Sequence, residues 1–131
     1  LLRTGTDGAK EQAAAALWNL SENSNNRIAI AKAGAVGPLV ALLRTGTDKA
    51  KEQAAGALRW LALNADNKVA IAKAGAADPL VALLRTGTDR IKEMAAGALS
   101  NLAFQNADNQ VAIAKAGAAD PLVALLRTGT D

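Results

Sequence analysis

The chain has no cysteine, no histidine and no tyrosine among its 131 residues, and only Trp18, Trp60 and Phe104 are aromatic. Each absence removes a class of chemistry. Without cysteine there are no disulfides and no thiolate metal sites. Without histidine and tyrosine as well, most nucleophile–base pairs and transition-metal sites are excluded. No catalytic residue, no metal ligand and no cofactor are therefore expected, and the chain reads as a non-enzyme. No apolar run approaches the ~20 residues needed to span a bilayer, and no signal-peptide pattern is present, so no membrane insertion is expected. The initiator methionine is also missing, which suggests a fragment or a processed chain. Charge of one sign is scarce too: 15 Lys and Arg against 12 Asp and Glu leave a formal +3, with the signs interspersed. Nothing resembles a nucleic-acid-binding tail or a polybasic membrane anchor.

What the sequence has instead is alanine and repetition. Half of the residues are hydrophobic, and alanine, the best helix former, supplies most of them while letting helices approach closely. The stretch Leu-Leu-Arg-Thr-Gly-Thr-Asp begins at Leu1, Leu42, Leu83 and Leu125. Spacings of 41, 41 and 42 residues mark stacked structural repeats rather than one globular core. Residues 48–88 and 89–130 match at 34 of 41 positions once one extra residue near Gln105 is set aside.

Each repeat reads as three helices. In the middle copy Thr47 or Asp48 caps a long helix from about Lys49 to Leu63, with Ala50, Ala54, Ala57, Leu58 and Leu61 at spacings of three and four. Gly46 supplies the residue able to turn left-handed after the preceding helix. The link Asn64-Ala65-Asp66-Asn67 caps a short helix from about Asn67 to Ala74, which Gly75 stops. Asp78-Pro79 reads as a cap followed by proline at the first helical position of a third helix ending near Arg85. A single array over residues 1–131 is expected, with repeats at about 7–47, 48–88 and 89–130 and a helical stub at 1–6.

The pattern resembles the armadillo repeat. The motif Gly-Ala-x-x-Pro-Leu-Val-x-Leu-Leu stands at Gly34 to Leu43, and Ala-Leu-x-Asn-Leu-Ala stands at Ala98 to Ala103. The resemblance covers the whole chain and implies an all-α, right-handed α-solenoid of three helices per repeat, called H1, H2 and H3. It implies a protein–protein interaction module that binds an extended peptide or protein segment along the concave H3 face. The lack of cysteine is compatible with a reducing intracellular compartment, cytoplasmic or nuclear. In that family an H3 asparagine grips the peptide backbone, and it maps to Asn19 and Asn101, while the second repeat has Trp60. Importin-α-type repeats carry a tryptophan one turn earlier, where this chain has Ala15, Gly56 and Gly97, which argues against a nuclear-localisation-signal receptor.

Differences between near-copies point to the same face. Along the long helix, Ala13, Ala16, Leu17 and Leu20, with their counterparts from Ala54 to Leu61 and Ala95 to Leu102, form the expected core. The copies disagree at Gln12/Gln53/Met94, Trp18/Arg59/Ser100, Asn19/Trp60/Asn101 and Glu22/Leu63/Phe104, which share one broad non-core face. Large apolar residues on such a face usually meet a partner. The expected peptide-binding residues are Gln12, Asn19, Glu22, Gln53, Arg59, Trp60, Leu63, Met94, Asn101 and Phe104. An alternative is an engineered or excised scaffold with no natural ligand that self-associates through exposed solenoid ends or the H3 face. Nucleic-acid binding is the weaker third reading. Its case rests on the lines Arg3, Arg44, Arg85, Arg127 and Lys32, Lys73, Lys115, and it is countered by Glu11, Glu52 and Glu93 recurring just as regularly.

Overall fold

A computed structural model describes residues 6–128. Among the described residues there are nine helices and no strand. In chain order they are α1 (Asp7–Ser21), α2 (Ser24–Lys32), α3 (Val36–Thr45), α4 (Asp48–Leu61), α5 (Ala65–Lys73), α6 (Ala77–Thr86), α7 (Asp89–Ala103), α8 (Ala107–Lys115) and α9 (Ala119–Thr128). The long helices α1, α4 and α7 pack successively side by side, and α2, α5, α8 and α3, α6, α9 stack behind them in the same order. Every layer therefore repeats along one direction, as in an α-solenoid. No single helix is long and apolar enough to cross a membrane among the described residues. The expected stub at 1–6 lies outside them except for Thr6.

Local chemistry sets the helix limits. Thr6, Thr47 and Thr88 each accept the backbone N–H three residues on, at 3.1, 3.1 and 3.2 Å, and so cap the long helices. Asn64 and Asn106 do the same for two of the short ones, and Asn23 caps the first by accepting the N–H of Asn25, two residues on. Gly34, Gly75 and Gly117 end those short helices at φ of +89°, +83° and +86°, a conformation that only glycine adopts without strain.

Two sequence expectations need correcting here. Gly46 is not left-handed but extended, at φ −76°. Its requirement is space, since a Cβ there would lie 2.7 Å from the Leu42 carbonyl oxygen and 3.0 Å from the Ala50 methyl. Gly87 repeats the case against Leu83 and Ile91. Pro79 is the third residue of α6 rather than the first, because Ala76 is the cap and its carbonyl accepts from the Leu80 N–H. Proline is tolerated there because the first-turn N–H groups have no helical partner in any case.

The core runs between the layers. Leu39, Leu43, Leu58, Leu61, Ile71, Leu80, Ile91 and Leu102 are fully buried, and Ala54, Ala57, Ala95 and Ala98 are 0% exposed at the helix contacts. In the first repeat the expected core face is only partly covered: Ala16 and Leu20 are exposed, whereas Leu61 and Leu102 are buried. The reason is position, since no described helix packs on the other side of α1.

Polar links fasten each repeat to the next. Asn67 on α5 donates its side-chain amide to the Arg27 carbonyl of the preceding repeat (3.2 Å) and to the Leu61 carbonyl of its own (3.0 Å). Asn109 repeats this with Lys68 and Leu102. Both asparagines are buried, and each spends its amide protons on one carbonyl of the preceding repeat and one of its own. Arg44 and Arg85 each reach forward to the carbonyl of Gly75 or Gly117. At Arg44 and Arg85 the arginine of Leu-Leu-Arg-Thr-Gly-Thr-Asp is thus a clasp between neighbours as well as a favourable charge at a helix C-terminus.

Candidate functional site

Exposed parts of α1, α4 and α7 form the face on which the repeats differ. On it, residues of one repeat rest against the backbone of the next. Trp18 lies over Gly56, where an added Cβ would sit 2.5 Å from the indole ring, and Arg59 lies over Gly97, where it would sit 2.7 Å from the Arg59 Cδ. Glycine at 56 and 97 therefore accompanies the bulky neighbour of the preceding repeat, and Ala15, with no such neighbour described, can keep its methyl. Sequence comparison saw both differences without the pairing between them.

Between α4 and α7 this arrangement leaves an open cleft of about 380 Å³ lined by Arg59, Trp60, Leu63, Gly97, Ser100 and Asn101. The Trp60 ring carries two guanidinium groups, Arg27 at 5.2 Å and Arg59 at 5.6 Å from its centroid, a favourable pairing of cation and π-face. The Trp60 Nε1 is buried with no hydrogen-bond partner. Asn101 donates its side-chain amide to the Arg59 carbonyl, 2.8 Å away. One amide proton is thus used within the protein, which leaves the second N–H and the side-chain carbonyl oxygen of Asn101 for other partners.

Next to the cleft, the extra residue of the third repeat has a visible effect. Helix α7 ends at Ala103, Phe104 is extended, and Gln105 is left-handed at φ +52°. Phe104 is 62% exposed. The Lys68 ammonium sits 4.9 Å from its ring centroid and donates to the Phe104 carbonyl. Lys68 itself is buried, a role that spacing alone did not suggest.

The expected site residues fall into distinct groups. Arg59, Trp60, Leu63 and Asn101 come together in the cleft. Gln12, Asn19, Glu22 and Phe104 are exposed elsewhere, and Gln53 is half-buried. Met94 is corrected: it is 3% exposed and belongs to the hydrophobic core, so it offers no surface to a ligand. Ser100 and Gly97 belong to the cleft although they were not singled out as contacts. Of the acids, Glu11 accepts from the Thr47 hydroxyl at 2.6 Å and Glu52 pairs with Arg90 at 3.5 Å. Glu11 and Glu52 thus join neighbouring repeats, whereas Glu93 pairs with Arg90 of its own helix at 4.0 Å. No group of three or more acidic residues able to hold a metal ion occurs among the described residues.

This combination of three-helix units, neighbour-to-neighbour fastening and a variable face defines a helical-repeat scaffold. The family model described as "Armadillo/beta-catenin-like repeat" matches residues 23–62 and 64–104, and the chain belongs to that family. No curated protein matches its sequence. Among solved structures, computationally designed armadillo repeat proteins for modular peptide recognition are similar over 100% of this chain and 56% of theirs, at 30% identity and a TM-score of 0.93. A designed armadillo repeat protein in complex with the peptide (KR)4 is similar over the same shares at 29% identity and a TM-score of 0.93. An engineered protein is 33% identical, with 100% of this chain and 53% of that one covered and a TM-score of 0.92. The chain spans a little over half the length of these structures.

Proposed function

We propose that the chain is a non-catalytic module that binds an extended peptide or protein segment along the face of α1, α4 and α7. The observation that carries this reading is the cleft between α4 and α7, where half-buried Trp60, 47% exposed Leu63 and Asn101 converge. Tryptophan and arginine, both present in the cleft, are residue types enriched at binding hot spots. The Asn101 carbonyl oxygen can accept a backbone N–H from an extended segment, and Asn19 offers a whole carboxamide one repeat further along. Two designed structural neighbours are described with peptide recognition or a bound peptide, which supports the same use of the fold. Neighbouring helices pack about 8–10 Å apart and an extended peptide advances about 3.3 Å per residue, so three repeats span roughly six to eight ligand residues. The absence of cysteine suits a reducing intracellular compartment.

Peptide display followed by titration of the selected sequence tests the reading. Trp60→Ala should weaken binding by about 2 kcal/mol or more. Unchanged affinity would remove Trp60 from the site.

Self-association is a second reading favoured by the two end faces. Leu126 is 84% and Leu20 51% exposed, whereas the corresponding Leu43, Leu84, Leu61 and Leu102 are all at 3% or below. One end presents what the other covers inside the array, so a second copy could stack head to tail. Light-scattering mass measured across a concentration series decides this. Growth with concentration supports stacking, and a constant monomer mass rules it out.

A further inference from the structure

Within the peptide-binding reading, on which this inference rests, the cleft carries a charge without a counter-charge. Arg59 is held on two sides: its aliphatic stem lies on the bare backbone at Gly97, and its guanidinium stacks beside Trp60. The ion pairs among the described residues are Arg90 with Glu52 and Arg90 with Glu93, and neither involves Arg59. Its guanidinium makes no hydrogen bond to any described residue either, so its donors face the cleft unused. Arg27 adds a second cation on Trp60, while its own donors go to the Ser21 and Glu22 carbonyls. The six residues of the cleft include no acid. Glu52 is occupied by Arg90, and Glu22, although exposed, does not line the cleft.

The π-face that would attract a ligand lysine or arginine is thus already occupied by two of the protein's own guanidinium groups. What remains is a guanidinium fork of the geometry that matches a carboxylate, with a hydroxyl at Ser100 beside it. We propose that this cleft takes an aspartate or glutamate side chain of the bound peptide, held by Arg59 with Ser100 alongside, and that the protein selects acidic over basic segments. Leu63 would receive an apolar neighbour of that acidic residue. The preference is opposite in charge to the (KR)4 peptide bound by one designed structural neighbour.

The test uses three octapeptides blocked at both ends, so that no terminal carboxylate competes. They alternate serine with glutamate, glutamine or lysine, and binding is measured by calorimetry on the full chain. The glutamate peptide should bind at least roughly tenfold more tightly than the glutamine one, the scale of a hydrogen bond to a charged group, and the lysine peptide more weakly still. Arg59→Gln should abolish the difference between glutamate and glutamine peptides while helical circular dichroism stays unchanged. In the unsubstituted protein the same preference should shrink on raising salt from about 0.15 M to 1 M. Equal binding of glutamate and glutamine peptides, a tighter lysine peptide, or a preference that survives Arg59→Gln would overturn the assignment and leave the peptide-binding reading standing. Failure of all three peptides and of display selection would remove both.

Discussion

Gly56→Ala sets two effects of opposite sign against each other, and the structure decides which wins. Position 56 is inside α4, where replacing glycine with alanine usually stabilises by about 1 kcal/mol through reduced backbone entropy in the unfolded chain. Here the new methyl would lie 2.5, 2.7 and 2.7 Å from three atoms of the Trp18 ring. Normal carbon contacts are about 3.5–4.0 Å, so the indole must retreat by about an ångström as a rigid plate. Overpacking of this kind costs typically about 1–3 kcal/mol. The expected net result is destabilisation by about 1 kcal/mol. The diagnostic background is Trp18→Ala, in which the obstacle is gone and the same Gly56→Ala change should stabilise by up to about 1 kcal/mol. Urea unfolding followed by helical circular dichroism on the four variants measures the coupling as a double-mutant cycle. If Gly56→Ala shifts the midpoint equally with and without Trp18, the tryptophan is not what position 56 accommodates and the reasoning fails.

Gly97→Ala provides the contrast. The obstacle there is the flexible Arg59 stem rather than a ring, so stability should stay level or rise by up to about 1 kcal/mol, as read by the same unfolding assay. Displaced from its rest, Arg59 should also lose part of its grip on the glutamate octapeptide. Asn67→Ala removes two hydrogen bonds at a buried position, to the Arg27 and Leu61 carbonyls, for a loss of about 2 kcal/mol. A midpoint within error of the unsubstituted protein would show that water replaces the amide without cost.

The helical layout was legible because each boundary is written in side chains with a single mechanism. Thr47, Asn64 and Gly75 announce a start, a start and a stop from their own chemistry. At Gly46 a left-handed turn and a crowded corner both demand glycine, and one sequence does not separate them. A helical wheel knows only its own helix and points Met94 outward; its burial depends on where neighbouring helices lie. The links Trp18–Gly56, Arg59–Gly97 and Asn67–Arg27 were invisible for the same reason, since each joins residues about one repeat apart through the stacking geometry. Arg59, Trp60, Leu63 and Asn101 were found because the repeats disagree there. What the disagreement could not reveal is that Asn101 spends its amide on Arg59 and that Arg59 has no counter-ion.

The buried asparagines imply a gradient of opening along the array. Asn67 ties the first repeat to the second and Asn109 ties the second to the third, each across about 40 residues and never across two repeats. Coupling of that range behaves like a short chain of nearest neighbours, in which end units lose one interface on opening and a central unit must lose two. Amide hydrogen exchange should therefore be slowest in α4–α6 and faster towards α1 and α9. The cleft lies between α4 and α7, so its α4 wall belongs to the last unit to open, while its α7 wall belongs to an end repeat. A ligand bridging those two helices would raise protection on the α7 side most, where the unliganded protein has the most to gain.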